Sequence, residues 1–368
     1  MNDVSLVGIG KLGICFGLTL EKNGYNVLGV DLNQEYVNSI NNKTYKSLEE
    51  NVELLLTKSV NLRATTSLKE AVEFSDTIFL LVATPSLENG RYDHSQVDNV
   101  VEHLEAFGTQ DKRKDLIICC TTMPGYCDSV QERLRKYNYF VSYNPEFIAQ
   151  GTILRNQERP DMVLIGSADE YAAEKLCNIY KKHTLNNPEI HVMSRTEAEL
   201  CKISLNCFLT TKISFANMIG DIATRVECRP DVILKAIGSD SRIGNKYLSY
   251  GFGFGGPCFP RDNRALSIYA DDVGIDALIS KSSDASNKLH LEYQIQEFIK
   301  NNRKDKLVIF DTVTYKKDSI LLTESQQLKF ALRLSEEGYD ILIKERREVI
   351  DVLTKMYGDR FKYERKNS

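Results

Sequence analysis

The chain has 368 residues, 42% of them hydrophobic and 27% charged, with a formal net charge of -4. That is the balance of a globular protein of two or three domains, with no basic excess to suit nucleic acid and no apolar run near the ~20 residues of a membrane helix. Nine cysteines without C-x-x-C spacing exclude a disulfide framework, and five histidines (His94, His103, His183, His191 and His290) without pairing indicate no metal and read as surface or loop residues. The thiols read as reduced ones in a cytoplasmic protein, and the first residues enter a strand with no charged-then-apolar leader.

Residues 4–8 read as a short buried strand, 8–13 as a turn, 12–23 as a helix ended by Gly24, and 25–31 as a second strand. This βαβ context gives meaning to Gly8, Gly10 and Gly13 around Lys11 and Leu12. The first two glycines allow a tight turn and close approach of a pyrophosphate, and the helix N-terminus supplies N–H groups and a positive dipole end. Asp31 closes the second strand, where a carboxylate accepts from a ribose diol and repels a 2′-phosphate, so the pattern favours NAD over NADP.

Further strands are predicted at 77–83, 116–121, 139–143 and 162–166, with helices between several of them. The alternation predicts an α/β fold with an open parallel sheet, whose ligands bind beyond the carboxyl ends of the strands. Thr84, Thr122 and Glu146 all lie just past apolar runs, so all three should face one crevice. Cys119 and Cys120 should point to opposite faces of their strand.

From about residue 196 the pattern changes to a long helix, 196–222, with Thr196 and Glu199 spaced as a capping box. Leu200, Ile203, Leu205, Phe208, Leu209, Ile213 and Phe215 give it a wide apolar surface, which suggests burial between domains or subunits and hence a homodimer. Lys202 and Asn206, four apart, share a face. Lys202 either snorkels its ammonium to water or stands ready for a developing oxyanion. A second helix follows at 277–301, then a strand at 306–310, a helix at 325–338 and a strand at 340–344, a small βαβ-like unit. The chain divides into a Rossmann-type domain (1–192), a central helical domain (193–302) and a small, Rossmann-like carboxyl-terminal domain (303–368).

The densest segment runs Gly251-Phe252-Gly253-Phe254-Gly255-Gly256-Pro257-Cys258-Phe259-Pro260-Arg261-Asp262. Four glycines in six positions suit a loop that brings a thiol to a ligand, and a nucleophilic cysteine needs access and an environment favouring thiolate. Asp262 could hold a water or a neighbouring cation there.

This loop resembles the active-site loop of the nucleotide-sugar 6-dehydrogenases, the UDP-glucose and GDP-mannose dehydrogenase family. Val7-Gly8-Ile9-Gly10-Lys11-Leu12-Gly13, Ala83-Thr84-Pro85, Thr121-Thr122-Met123-Pro124, Asn144-Pro145-Glu146-Phe147, Glu199-Leu200-Cys201-Lys202 with Asn206, and Arg242-Ile243-Gly244-Asn245-Lys246 follow in the family's order, covering residues 3 to 300. The resemblance implies NAD-dependent, four-electron oxidation of the C6 hydroxymethyl of a nucleotide sugar, UDP-glucose before others, by way of a thiohemiacetal and a thioester on Cys258. It implies water and proton handling by Glu146 and Asp262, oxyanion stabilisation by Lys202 and Asn206, and a cofactor or water contact from Thr122. Gly8, Gly10, Lys11, Leu12, Gly13, Asp31, Thr84, Thr122, Gln150 and Arg261 are carried over as cofactor-binding. Phe147, Ile148, Lys202, Asn206, Arg242, Tyr247, Tyr250, Gly255 and Lys316 are carried over as substrate-binding, Arg242 reaching the neighbouring subunit's substrate.

The sequence departs from the family at Gln150, where an acid is usual, at Arg261, where lysine is usual, and at Thr323, where many relatives have arginine. Its third domain also reads as shortened by about two elements. A UDP-N-acetylhexosamine 6-dehydrogenase is the nearest alternative. A catalytically weak NAD- or nucleotide-binding regulatory protein is another, and a two-electron hydroxyacid dehydrogenase, which needs no cysteine loop, a third.

Overall fold

The structure, a computed structural model, describes residues 2–148, 151–316 and 319–366. The chain forms two compact units, Met1–Lys202 and Ile203–Ser368.

In the first unit, β1 (Asp3–Val7), α1 (Lys11–Lys22) and β2 (Asn26–Val30) make the expected βαβ start. α2 (Gln34–Asn41), α3 (Val52–Lys58), β3 (Leu62–Thr65), α4 (Leu68–Phe74) and β4 (Thr77–Leu80) follow. β4 pairs with the side of β1 opposite β2, so the strand order reverses between β1 and β4. Such a reversal opens a crevice beyond the carboxyl ends of the strands. α5 (Ser95–Ala106), β5 (Lys114–Ile118), α6 (Tyr126–Leu134), β6 (Tyr139–Tyr143), α7 (Ile153–Glu158), β7 (Met162–Gly166), α8 (Glu170–His183) and β8 (Glu189–Met193) complete an eight-stranded sheet of order β3-β2-β1-β4-β5-β6-β7-β8.

β1 through β6 run parallel, as expected, but β7 joins β6 antiparallel and β8 runs with β7. Strand direction leaves no trace in an apolar run, because any strand buried on both faces reads as continuously hydrophobic. Both faces of the sheet are covered. Ile14, Phe16, Ile179 and Ile117 belong to one core and Val101, Val130, Leu116 and Ile118 to the other. Cys119 falls in the first core and Cys120 in the second, as the alternation predicts.

α9 (Arg195–Arg225, 31 residues) is the predicted long helix. Its capping box lies two residues earlier than expected: Ser194 Oγ accepts from Glu197 N (3.3 Å) and Glu197 Oε2 from Ser194 N (2.8 Å). Thr196 instead donates to Asp128, and Glu199 is fully buried.

The second unit holds α10 (Pro230–Gly238), α11 (Phe259–Asp272), α12 (Leu278–Asn301), β9 (Val308–Phe310), α13 (Gln326–Glu336), β10 (Ile341–Glu345), α14 (Arg347–Tyr357) and β11 (Lys362–Arg365). Its sheet is parallel, of order β11-β10-β9, so the small βαβ unit is extended by a further helix and strand. Phe310, Phe330, Leu334, Ile343 and Leu353 fill its core with Ile295 of α12. The buried face of α12 is otherwise polar: Ser280, Ser283, Asn287 and His290 are all buried and sit three or four residues apart.

Candidate functional site

The glycine turn shows three different uses of one residue. Gly8 has φ +92°, and a Cβ on it would lie 2.6 Å from the Leu81 carbonyl oxygen. A Cβ on Gly13 would lie 2.2 Å from the Gly8 oxygen, so this glycine packs helix against turn. A Cβ on Gly10 would meet nothing within 4 Å. Gly10 is also the N-cap of α1, and no side chain caps that helix, so its first N–H groups face a space from which a side chain has been omitted. That cradle fits a dinucleotide pyrophosphate. Asp31 follows β2 and accepts from Asn33 N (3.0 Å), which orients its carboxylate at the strand end. Lys11 and Leu12 open α1 and are half-buried.

At the ends of β4 and β5, Thr84 Oγ1 donates to the Thr121 carbonyl (2.8 Å), joining the two predicted segments. Thr122 is fully buried and donates to Glu199 Oε1 (2.8 Å). Glu199 also accepts from Gly125 N and Cys127 N, so it holds the amino end of α6. Burial raises the Glu199 carboxyl while these donors pull it back down.

Past β6, Asn144 is locked between the Leu164 carbonyl and the Tyr180 hydroxyl. Glu146 follows it. Its Oε1 is buried without a hydrogen-bond partner, and burial pushes the carboxyl up to about 7, against the pull of Lys202. Lys202 does not snorkel: it is 8% exposed, donates to the Glu146 carbonyl oxygen (2.7 Å) and lies 4.2 Å from the centre of the Phe147 ring. An acid near 7 can hold or release a proton at neutral pH, which a solvated carboxylate does not do. Ile148 packs on the core. Glu49, which sequence reasoning missed, accepts from Gly151 N and Ile153 N and so steadies the segment after Glu146. Gln150 lies outside the described residues.

In the second unit, Cys258 is exposed and is the N-cap of α11. The loop reading therefore needs correction from this point on: Phe259 to Asp262 are the first turn of a helix. The positive end of the α11 dipole favours negative charge at its N-cap. Tyr315 is close enough that charge on Cys258 adds to the burial holding its hydroxyl high. Asp262, 1% exposed, accepts from Asn206 Nδ2 (2.6 Å) and from Arg261 Nε (3.1 Å). So Asn206 and Asp262 are brought together and Arg261 joins them.

The glycines before Cys258 are gripped by protein. Added Cβ atoms at Gly253, Gly255 and Gly256 would come within 2.1 Å of Asn287 Oδ1, 2.4 Å of the Glu324 carbonyl oxygen and 2.5 Å of the Tyr315 ring. Asn287 both accepts from Phe254 N and donates to Phe254 O (2.9 Å each), and Gly256 N donates to Thr323 O. Cys228 is the other exposed thiol among the described residues, and it lies in the turn after α9; burial suppresses several of the rest. It pushes Cys15 and Cys207 up to about 12 and Cys119 and Cys127 well above the ordinary thiol value.

Of the remaining residues carried over as substrate-binding, Tyr247 meets the ring of Phe259 beside Cys258 (6.1 Å between ring centres), and Lys316 follows Tyr315. Arg242 is exposed and pairs with Asp240 (2.7 Å), Tyr247 is exposed with φ 62°, and Lys316 is exposed. Tyr250 instead packs its ring on Gly220 and donates to Asp221 (3.0 Å).

Two histidines, His183 and His290, contradict the surface or loop reading, whereas His94 does lie in a loop, at the N-cap of α5. His183 is fully buried on α8, and burial lowers it to about 4. His94 stacks on Tyr126 at 3.8 Å and is likewise lowered to about 4 by burial. His290 is 3% exposed, between Asp221 and the Gly251 carbonyl. The polar spacing along α12 was the signal that could have found it.

Residues 2–184 match the UDP-glucose/GDP-mannose dehydrogenase family, NAD binding domain, and residues 196–289 match the central domain of the same family. The chain is 32% identical over 294 residues to the UDP-glucose 6-dehydrogenase of Pseudomonas aeruginosa, covering 77% of this chain and 64% of that protein. It therefore spans just under two thirds of that relative's length. It is 28% identical over 363 residues to the GDP-mannose 6-dehydrogenase of Pseudomonas savastanoi pv. phaseolicola, covering 92% and 80% respectively. Among solved structures it resembles a UDP-glucose dehydrogenase from the hyperthermophilic archaeon Pyrobaculum islandicum, with TM-score 0.89 and 28% identity over 99% of this chain and 86% of that one. With two of the family's domains matched in order and the phosphate cradle formed in the first, this chain belongs to the UDP-glucose/GDP-mannose dehydrogenase family and its cofactor is NAD.

Proposed function

We propose that the chain oxidises the C6 hydroxymethyl of a nucleotide sugar to a carboxylate, with UDP-glucose the preferred substrate. The observation that carries this reading is Cys258: an exposed thiol at the start of α11, on a loop whose glycines are braced by Asn287, Tyr315 and Glu324. An oxidation that ends at the alcohol–carbonyl level needs no such thiol.

The roles follow from residue chemistry. Gly8, Gly10, Gly13 and the amino end of α1 hold the pyrophosphate of NAD, and Asp31 holds its ribose diol. NAD, when bound, supplies a hydride acceptor, and two molecules in turn are required per sugar. The Cys258 sulfur adds to the carbon of the aldehyde left by the first oxidation, forming a C–S bond and a hydroxyl, which tethers the half-oxidised sugar. Loss of the second hydride and the hydroxyl proton leaves a thioester. Water then adds at that carbon, the C–S bond breaks, and carboxylate and thiol are released. Lys202 and Asn206, one turn apart on α9, suit the oxyanions of these steps. Glu146, held near 7, suits the proton taken from water, and Asp262, oriented by Asn206 and Arg261, assists.

The exposed apolar stripe Phe208, Phe215, Met218 and Ile222 on α9, with Val226 just past its end, supports a homodimer, with Arg242 reaching the second copy's substrate. Sedimentation as a monomer at micromolar concentration would remove that part. We also propose cytoplasmic residence and a functional division at 1–192, 193–302 and 303–368.

The test is to offer UDP-glucose, GDP-mannose and UDP-N-acetylhexosamines with NAD and to count NADH per carboxylate. Two per carboxylate is expected, fastest with UDP-glucose. A ratio of one, or product halted at the aldehyde, overturns the mechanism, and a faster GDP- or N-acetyl sugar overturns the substrate. Cys258→Ser should lower carboxylate formation by on the order of 10³-fold or more while NAD still binds.

A further inference from the structure

His290 sits at the base of the cysteine loop with acceptors on both sides. Its Nδ1 lies 2.8 and 2.9 Å from the two Asp221 carboxylate oxygens, and its Nε2 lies 2.6 Å from the Gly251 carbonyl oxygen. An amide carbonyl can only accept, so Nε2 donates to Gly251, and the ring bridges that carbonyl and the Asp221 carboxyl group. The ring is 3% exposed, so water does not substitute for either partner.

The groups facing the ring come from three elements. α9 contributes Asp221, whose Oδ1 also accepts from the Tyr250 hydroxyl (3.0 Å) and whose backbone carbonyl accepts from Tyr293 (3.3 Å). The loop contributes Tyr250, its ring centre 5.7 Å from that of His290. α12 itself contributes Gln294, which also donates to the Gly251 carbonyl (3.2 Å), and Tyr293. Arg225 near this group is turned to Glu297 and the Tyr293 ring. Asp221 is thus the anion that faces the imidazole.

The same face of α12 continues toward the thiol. Asn287, three residues before His290, clamps the amide and carbonyl of Phe254, and Asn217 of α9 accepts from Gly251 N (3.1 Å). The polar stripe of α12 holds the backbone of the loop at both Gly251 and Phe254, ahead of Cys258. We propose that His290 is a positioning residue for Cys258: its ring ties the loop base at Gly251 to Asp221 of α9, so the seating of the thiol depends on a residue distant in sequence from it. The proposal rests on Cys258 being the nucleophile only for its effect on turnover.

Its test is alkylation of Cys258 by iodoacetamide in the whole chain, read by peptide mapping. His290→Gln, whose amide can still donate to the Gly251 carbonyl, should keep the wild-type rate within about threefold. His290→Asn, whose shorter side chain does not span Asp221 and Gly251, should change it roughly tenfold. Rates within about threefold of wild type in both variants sink the idea. If His290→Asn does not fold, Asp221→Leu, which removes the other anchor, is read in the same assay, and an unchanged rate overturns the proposal. If no nucleotide sugar is turned over, the proposed function fails while the alkylation result stands.

Discussion

Two loops of this chain are built from glycine, and they use it to opposite ends. In the turn at 8–13, the Cβ missing from Gly10 leaves open space, so the omission makes room for something that is not protein. In the loop at 251–256, the Cβ atoms missing from Gly253, Gly255 and Gly256 let Asn287, Glu324 and Tyr315 close on the backbone. The first turn keeps Gly10 open to approach while Gly8 and Gly13 are packed, and the second is gripped at three of its four glycines, Gly251 alone facing open space. A glycine pattern announces close approach without saying by what, and only the atoms around each α-carbon tell ligand from scaffold. The acids in the two units differ in the same way. The Glu146 Oε1 is shut away without a partner, whereas Asp262 accepts from Asn206 and Arg261.

The contrast can be broken by substitution. Gly256→Ala places a side chain at φ +83° and into the Tyr315 ring, so a loss of about 3 kcal/mol in denaturant unfolding is expected, with NAD affinity unchanged. Retention of wild-type stability would show that the loop is not gripped. Gly10→Ala should do the reverse: NAD affinity by calorimetry falls roughly tenfold, about 1.4 kcal/mol, while unfolding of the unliganded chain stays within about 0.5 kcal/mol. Equal losses from both variants would erase the distinction.

A pH slope separates the two acids. Glu146 keeps its proton to about pH 7 in the folded chain but releases it near 4.5 when unfolded, so unfolding releases a proton between those values. Wild-type stability should therefore carry a penalty that grows from about pH 4.5 to about pH 7 and then levels off. Glu146→Gln lacks this penalty. Its melting temperature relative to wild type should rise across that window, and a flat difference would place Glu146 in a solvated setting.

Much of the fold was legible because its signals are local. The strands at 139–143 and 162–166 were bounded by apolar runs, and Gly8, Gly10 and Gly13 lay between a strand and a helix. The reversal of β7 was not legible, since direction is decided by the connection rather than the pattern. The start of α11 at Cys258 was hidden by the glycine run before it, although Pro260 in the first turn is a helix-start signal. The capping box was placed two residues late because Thr196 and Glu199 mimic the spacing that Ser194 and Glu197 use. His290 was passed over because a search for apolar periodicity is blind to a helix whose buried face is Ser280, Ser283, Asn287 and His290. In the site, Asp262 was read as holding a water or a neighbouring cation; its bond to Asn206 and the bracing of the loop by Tyr315 were not legible, because they join residues far apart in the chain.

Tyr315, Thr323 and Glu324 belong to the small carboxyl-terminal sheet region, yet they abut the stretch that carries the thiol. The last sixty or so residues are thus joined to the loop of Cys258 by the Tyr315 ring and by the backbone at 323–324, and not through any ligand they might recognise. Exchanging that region for one from a relative, as specificity swaps often do, would alter reactivity and selectivity together. A chimaera made at this boundary would therefore mislead unless residues 313–325 stayed with the native loop.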